Sequence, residues 1–216
     1  MEKQIDLNKV LFHGLGHNEL ENRAEDSIRR LENILKTKAI LSRNKQKEIL
    51  TKHNIDLPLY SLPKKNGDDY ICVCKRKSDK KKSKISDAFY QFVEDGISLI
   101  INPIILKKLE VRKECFQDGE FQIKDDISID YVIGIALKLH SSADYIKSER
   151  KRLKKGKDLK DTKIELDYLY KNYKEVKNLL SNYNFDLPIY SIKDGKIILN
   201  IDEILEELNQ TSICSI

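Results

Sequence analysis

Residues 120–137 read EFQIKDDISIDYVIGIAL, and this stretch decides the fold class. Its first five residues alternate apolar and polar side chains, which is typical of a half-buried strand. A turn at Asp118-Gly119 precedes them. From Tyr131 to Leu137 the chain is almost continuously apolar, and such a run between polar flanks predicts a fully buried strand. We therefore predict two strands here, at 120–124 and 131–137.

The same patterns predict the other elements on either side of this stretch. Further strands are expected at 10–12, 70–74, 97–101 and 196–201, and helices at 19–36, 42–53, 86–95, 141–154 and from 162 onward. The segments NIDLPLYS and NFDLPIYS, at 54–61 and 184–191, are near-copies that we interpret as two helix-to-strand connections with proline at the turn. The predicted fold is an α+β core over residues 1–140, with a mostly antiparallel split sheet. Residues 141–216 are predicted to be a mainly helical extension with a short strand.

The composition is that of a protein with a substantial core and a heavily ionised surface. The chain has 216 residues, of which 40% are hydrophobic and 35% charged, enough for one domain or a domain with an appendage. No stretch approaches the roughly 18 apolar residues of a membrane-spanning helix. The opening MEKQIDLNKV has no apolar signal-peptide core. We therefore expect a cytoplasmic protein without membrane contact, or one delivered into a host cell without a conventional signal peptide.

Cysteine and histidine spacing argues against a metal site. No CxxC pair is present, and structural zinc needs four convergent ligands. The histidines outside the first strand have no ligand spacing either. The residues concerned are Cys72, Cys74, Cys115 and Cys214, and His17, His53 and His140. We predict structural cysteines, with Cys72 and Cys74 on one face of a strand, and no metal.

Positive charge is concentrated in two lysine-rich runs. Lys75 to Lys84 and Lys147 to Lys163 each carry a net +6, so the remaining residues carry −7 of the total of +5. Such runs on an acidic body can hold phosphate groups or nucleic acid. They are equally typical of solvated loops and helix faces.

Three places carry residues suited to chemistry. The apolar residues before Phe12 lead into His13-Gly14, Arg43 follows a short apolar segment, and Glu120 heads a strand directly after a glycine. Taken singly, each has an ordinary alternative. A histidine after a strand is often a structural hydrogen-bonding residue, and a glutamate at a strand head is often a solvated charge.

Taken in order, these places resemble the ADP-ribosyltransferase superfamily, in particular its diphtheria-toxin-like branch and its DNA-targeting bacterial toxins. Residues 11–42, LFHGLGHNELENRAEDSIRRLENILKTKAILS, resemble the family's opening, an aromatic-His-Gly strand followed by an amphipathic helix. Residues 120–137 resemble the segment in which a catalytic glutamate begins a strand and a second strand follows. The resemblance implies an ADP-ribosyltransferase-like split sheet and an NAD-dependent transferase, as found in toxins, effectors and phage-conflict proteins.

The resemblance also implies site roles. Transfer of ADP-ribose from NAD passes through an oxocarbenium-like state, as glycoside hydrolysis does. Glu120 would be the catalytic carboxylate, His13 would bind the ribose of the adenosine half, and the Gly14 backbone would meet the nicotinamide amide. Arg43 would pair with the pyrophosphate. Tyr90, placed on a helix before the central strand, would stack on nicotinamide, although its spacing with Phe89 and Phe92 also suits a core residue.

Two positions depart from the family pattern. Leu15 stands where a small hydroxyl residue usually follows His-Gly, and Asp118 stands where a glutamine or glutamate usually precedes the catalytic residue by two positions. The feature that we expect to decide the question is whether the side chains of His13 and Glu120 converge on one cleft. Placement of the two side chains on opposite faces would count against this prediction.

Two other functions compete with this prediction. In the first, the protein is a non-enzymatic nucleic-acid-binding or partner-binding module that uses the two lysine-rich runs. In the second, it is an RNA 2′-phosphotransferase of the same fold, although the basic residues expected for that chemistry are not suitably spaced. As an ADP-ribosyltransferase the chain would use NAD as substrate and a nucleic acid or protein as acceptor. An antitoxin or immunity protein would be a further partner.

Overall fold

A computed structural model describes residues 4–15, 23–53, 69–76, 78–79, 84–85, 97–113, 119–137, 172–192 and 195–197. The helices predicted at 86–95 and 141–154 lie outside these residues, as does the first of the two helix-to-strand copies. All structural statements below refer to the described part of the chain.

Eleven strands are present among the described residues. They are β1 (Leu11–Gly14), β2 (Ala39–Ile40), β3 (Tyr70–Lys75), β4 (Ser78–Asp79), β5 (Lys84–Ile85), β6 (Ile97–Ile101), β7 (Val111–Lys113), β8 (Glu120–Lys124), β9 (Ile127–Ser128), β10 (Val132–Leu137) and β11 (Ile189–Ser191). Seven of them form one sheet in the order β11-β10-β6-β1-β3-β8-β7. All neighbours in this sheet are antiparallel except β10 and β11, which are parallel. The α+β class with a mostly antiparallel sheet is thereby confirmed.

Four α-helices are present among the described residues. They are α1 (Arg23–Thr37), α2 (Arg43–His53), the single turn α3 (Ile105–Lys108) and α4, which covers residues 172–182. A 3-10 turn at Ile129–Tyr131 takes up the first residue of the strand predicted at 131–137. Helix α1 is amphipathic, as predicted, and buries Leu31, Ile34 and Leu35 because their spacing places them on one stripe.

The sheet separates two cores because side chains alternate along each strand. We call the side covered by α1 and α4 the α1 face, and the other side the far face. The core of the α1 face includes Leu11, Val73, Leu99, Phe121, Ile123 and Ile135, together with α1 and α4 residues. The far-face core is smaller and consists of Leu7, Val10, Phe12, Cys74, Ile100, Ala136, Tyr190 and Ile192.

The C-terminal segment contributes to this sheet. Residues 184–188 connect α4 to β11, so the second NFDLPIYS copy is a helix-to-strand connection, as predicted. Strand β11 packs closely on β10: a Cβ on Gly134 would lie 2.7 Å from the Tyr190 ring and 3.0 Å from the Pro188 carbonyl oxygen. The glycine in YVIGIAL is therefore required by the approach of β11. Of the strand predicted at 196–201, Lys196 and Ile197 form isolated bridges and the rest lies outside the described residues.

Candidate functional site

The pairing of β1 with β3 stops before β1 ends. Leu11 pairs with Lys75 and Phe12 with Cys74, and the next hydrogen-bonded pair, Gly14 with Cys72, is not formed. On its other side β1 continues along β6, where the Leu15 N–H donates to the Ile97 carbonyl oxygen at 3.0 Å. Because hydrogen-bonding direction alternates along a strand, the N–H and C=O of Gly14 point away from β6 and toward β3. The main-chain donor and acceptor of Gly14 therefore face β3 without a ladder bond to it, and we call this position, where the β1–β3 pairing has stopped, the β1–β3 gap.

The His13 ring hydrogen-bonds the Cys72 carbonyl oxygen, which the Gly14 N–H would bond if β1 and β3 were paired here. Its Nδ1 lies 2.9 Å from the Cys72 carbonyl oxygen. A carbonyl only accepts, so Nδ1 carries the proton. Burial lowers the pKa of His13, the charge of Arg30 lowers it further, and the hydrogen bond to Cys72 opposes them. The ring is therefore neutral near pH 7, and its Nε2 is a hydrogen-bond acceptor.

Arg30 on α1 is a residue of this site that the sequence analysis missed. Its Nη1 donates to the Leu15 carbonyl oxygen at 2.7 Å, and its charge lies close enough to the His13 ring to lower that pKa. Arg30 thus fixes the chain immediately after Gly14. The available signal was its place beside the apolar stripe of α1, but 40 basic residues made one arginine hard to select.

Glu120 is the first residue of β8 and is only 5% exposed. It lies opposite Cys74 in β3, as Cys74 lies opposite Phe12 in β1. Burial raises the pKa of the Cys74 thiol, and the charge of Glu120 adds to the increase, so the two side chains are close together. The strand-opening position predicted for Glu120 is confirmed. A buried carboxylate in this position also differs from the solvated charge of the alternative interpretation.

The side chains of His13 and Glu120 do not project from the same face. Phe12, Cys74 and Glu120 form one row across the sheet and point to the far face. His13 follows Phe12, so its side chain points to the α1 face. The expectation that both side chains converge on one cleft was wrong in this form, because the spacing of His13 relative to the β1–β3–β8 register sets the opposite direction. His13 borders the β1–β3 gap, whereas Glu120 lies one strand further across the sheet, opposite Cys74.

Gln122 is a second site residue that the sequence analysis missed. It is fully buried, points to the far face like Glu120, and lies opposite Cys72. Its Oε1 has no hydrogen-bond partner. Along the sequence it appears as an ordinary polar position of an alternating strand, which is why no signal separated it from a solvent-facing residue.

The other predicted ligands are placed only in part. Arg43 begins α2, and the Asn44 amide donates to Asp69 Oδ1 at 2.7 Å, just before β3. Since β3 is antiparallel to β1, Arg43 lies at the end of the sheet at which Gly14 ends β1. Tyr90 and Asp118 lie outside the described residues, as do most of the two lysine-rich runs.

Metal and membrane features are both missing from the described residues. No group of three or more His, Cys, Asp or Glu side chains that could hold a metal occurs there. No described helix is long and apolar enough to cross a membrane. Cys72 and Cys74 are buried thiols on the same face of β3, as predicted, and neither forms a disulfide in the described part of the chain.

Comparison with known proteins gives a distant structural likeness only. No protein-family model and no curated protein matches the chain. A solved structure of DarT from Thermus sp. 2.9 in complex with carba-NAD+ is similar over 86% of this chain and 96% of that one, with 9% identity and a TM-score of 0.43. A second structure, DarT in complex with ADP-ribosylated ssDNA, is similar over 70% and 92%, with 10% identity and a TM-score of 0.33.

Proposed function

We propose that this protein is an NAD-dependent ADP-ribosyltransferase whose acceptor is a nucleic acid. The observation that carries the proposal is the β1–β3 gap, where Gly14 presents an N–H and a C=O that make no ladder bond to β3. A primary carboxamide has one acceptor and two donors, so it complements these two main-chain groups. Nicotinamide ends in such a carboxamide, and the absence of a side chain on Gly14 permits a close approach.

Each face of the sheet is then assigned to one half of NAD, the α1 face to the adenosine half and the far face to the nicotinamide half. His13 is fixed by Cys72 in the tautomer whose Nε2 accepts a hydrogen bond, which suits a ribose hydroxyl of the adenosine half. Glu120, on the far face, suits the hydroxyl of the ribose that carries nicotinamide. Because the two residues are assigned to different riboses, a dinucleotide that crosses the sheet at the gap can meet both. This assignment replaces the single cleft that was expected.

The spacing across the sheet is compatible with this assignment. Phe12 and Glu120 lie in one row with one strand between them, so their Cα atoms are about 10 Å apart. Gly14 is two residues further along β1, which adds about 7 Å along the strand direction. The nicotinamide riboside half and one glutamate side chain have to bridge this diagonal. A carboxylate here stabilises positive charge that develops on the ribose as nicotinamide leaves.

Two further residues complete the proposed NAD site. Arg43, at the Gly14 end of the sheet, is the proposed partner of the pyrophosphate, since guanidinium binds phosphate oxygens in a fork. Tyr90 is the proposed stacking residue for nicotinamide. Both roles come from the resemblance, and each can be tested by substituting the residue and measuring NAD binding.

A basic and aromatic pair on the far face supports a nucleic acid as acceptor. The exposed Arg112 guanidinium lies over the Tyr70 ring, 5.2 Å from its centroid. Arg112 lies opposite Gln122 and Tyr70 opposite Lys124, so all four share the face of Glu120. Phosphate-binding charge beside an aromatic ring is typical of single-stranded nucleic-acid sites. DarT, with its ADP-ribosylated ssDNA complex, is compatible with this acceptor.

The test is release of nicotinamide and transfer of label from NAD, comparing wild type with Glu120→Gln. The amide keeps the shape of the side chain and removes its charge, so we expect at least about a hundredfold lower turnover, the scale seen when one charge-stabilising group is removed. Acceptors are offered separately as single-stranded DNA, duplex DNA, RNA and cell lysate, and Arg112→Gln reports on acceptor binding.

The results separate the competing functions. Label on nucleic acid with wild type but not with Glu120→Gln supports the proposal and names the acceptor. Label found on lysate proteins alone would change the acceptor to protein. If wild type binds nucleic acid in a salt-dependent way and neither binds nor consumes NAD, the non-enzymatic module is the better account.

A further inference from the structure

The first lysine-rich run contains a β-hairpin. Strands β4 and β5 pair in a sheet of their own, with Ser78 opposite Ile85 and Asp79 opposite Lys84. This register leaves residues 80–83 to connect the two strands, and their sequence is KKKS. In its described part the run is therefore a short two-stranded ribbon, and three consecutive lysines follow its first strand along the chain.

The hairpin follows the main sheet at the position of Glu120. Lys75 is the last residue of β3, and its N–H donates to the Gly119 carbonyl oxygen at 2.8 Å. Its ammonium lies over the Phe121 ring, 5.2 Å from the centroid. Lys75 therefore contacts both chain neighbours of Glu120. Since β4 begins three residues after Lys75, the first strand of the hairpin starts within about 11 Å of these contacts.

The composition of the hairpin suits a partner that is recognised by charge alone. From Lys75 to Lys84, seven of ten residues are basic, one is acidic and two are serine. Membrane-surface segments and protein–protein hot spots depend on aromatic or large apolar side chains, which this stretch of sequence does not contain. Lysine ammonium and serine hydroxyl groups are common contacts of a nucleic-acid backbone, and a two-stranded β-ribbon is one of the elements that fit a nucleic-acid groove.

We propose that the β4–β5 hairpin binds the phosphate backbone of the nucleic-acid acceptor, and that its root at Lys75 places the acceptor at Glu120. The inference rests on the proposed function, and it makes the first lysine-rich run a part of the transferase. NAD is assigned to β1, β8 and the residues around them, so NAD and acceptor are bound by different elements. Loss of charge from the hairpin should therefore weaken acceptor binding and leave NAD affinity unchanged.

The first test removes charge from the hairpin of the full-length protein. The hairpin variant carries three substitutions between the two strands: Lys80→Gln, Lys81→Gln and Lys82→Gln. The matched control removes the same charge from three exposed lysines on α2, α3 and α4: Lys52→Gln, Lys107→Gln and Lys177→Gln.

Affinity for a fluorescent single-stranded DNA oligonucleotide is measured by anisotropy without NAD, at several salt concentrations. Each lysine that neutralises a phosphate of a single strand contributes about 0.7 to the slope of log affinity against log salt. The hairpin variant should therefore lose up to about 2 from this slope and bind at least about tenfold more weakly. The control is expected to bind within about twofold of wild type, because salt screens charges far from the bound strand.

The second test separates placement of the acceptor from its binding. Lys75→Met removes the ammonium over Phe121 and keeps the main-chain bond to Gly119. A cation–π contact contributes a factor of about three, so label transfer to the oligonucleotide should be about threefold slower. Nicotinamide release without acceptor should be unchanged. Lys75→Arg keeps a cation over the ring and is expected to restore transfer.

Several results would overturn the proposal. Oligonucleotide binding that is absent in wild type or unchanged in the hairpin variant would do so. An equal loss in the hairpin variant and its control would indicate general attraction by charge. A parallel loss of nicotinamide release and transfer in Lys75→Met would make Lys75 a structural support of Glu120 only. Failure of the proposed function is seen separately, as wild type that neither binds nor consumes NAD, because the oligonucleotide titration contains no NAD.

Discussion

The protonation of His13 gives a stability prediction that needs no knowledge of substrate. Burial and the charge of Arg30 lower the pKa of this ring below its usual value of about 6.5. The unfolded chain therefore binds a proton near pH 6.5 that the folded protein does not bind until lower pH. The contribution of the neutral ring to stability is fully present above pH 6.5 and is lost as the pH falls below it.

The size of the effect follows from proton linkage. One proton bound only by the unfolded state lowers the free energy of unfolding by at most about 1.4 kcal/mol per pH unit at 25 °C. This slope applies between pH 6.5 and the lowered pKa of the folded protein. His13→Gln keeps an N–H donor for the Cys72 carbonyl and does not titrate, so it removes the slope and retains the hydrogen bond.

Urea unfolding of wild type and His13→Gln at pH 7.5, 6.5, 5.5 and 5.0 measures this difference. Because the other three histidines are shared, they cancel when the two proteins are compared at each pH. We expect wild type to lose up to about 1.4 kcal/mol more than the variant from pH 6.5 to 5.5. A stability difference that is constant over the four pH values would refute the neutral, half-buried His13. Arg30→Met removes the neighbouring charge and so raises the pKa of His13 in the folded protein, which should narrow the pH range of the slope by moving its lower limit up.

Two further predictions concern the frame of the site. Arg30→Met also removes the 2.7 Å bond to the Leu15 carbonyl, and we expect a loss of about 1–2 kcal/mol at pH 7.5, the lower part of the range for charged donors because the side chain is half-buried. Urea unfolding checks this, and full stability in the variant would contradict the anchoring role. Gly134→Ala forces a methyl group against Tyr190 and Pro188 and should cost about 1–3 kcal/mol, measured by thermal or urea unfolding. The adjacent, more exposed Ile133→Ala is its control, and an equal effect at both positions would contradict close packing of β11 on β10.

Local patterns along the chain were enough to identify most elements of the fold. Alternation predicted β8, continuous apolar runs predicted β6 and β10, and a helical stripe predicted α1, because these periods follow directly from strand and helix geometry. The helix-to-strand connection at 184–191 was predicted, but its last three residues, which form β11, were not assigned to a strand because three residues are too few for a period to show. Strand β11 exists because β10 offers it an edge and Gly134 lets it approach.

The residue types of the candidate site were also visible along the chain. His13-Gly14 closing a strand and Glu120 opening one are local features, and each lies where its pattern placed it. The direction of their side chains was not visible. It depends on the register of β1 with β3 and of β3 with β8, which is set by pairing between segments about sixty and fifty residues apart.

The sequence by itself thus determined the class of the fold, the strand ends at which His13 and Glu120 lie, and the shared strand face of Cys72 and Cys74. Only the tertiary structure decided that the β1–β3 pairing stops at Phe12, that the two site residues face opposite sides of the sheet, and that Arg30 and Gln122 lie beside them. The physical reason is that strand periodicity is a local property, whereas register, burial and an unpaired amide arise only when distant segments meet.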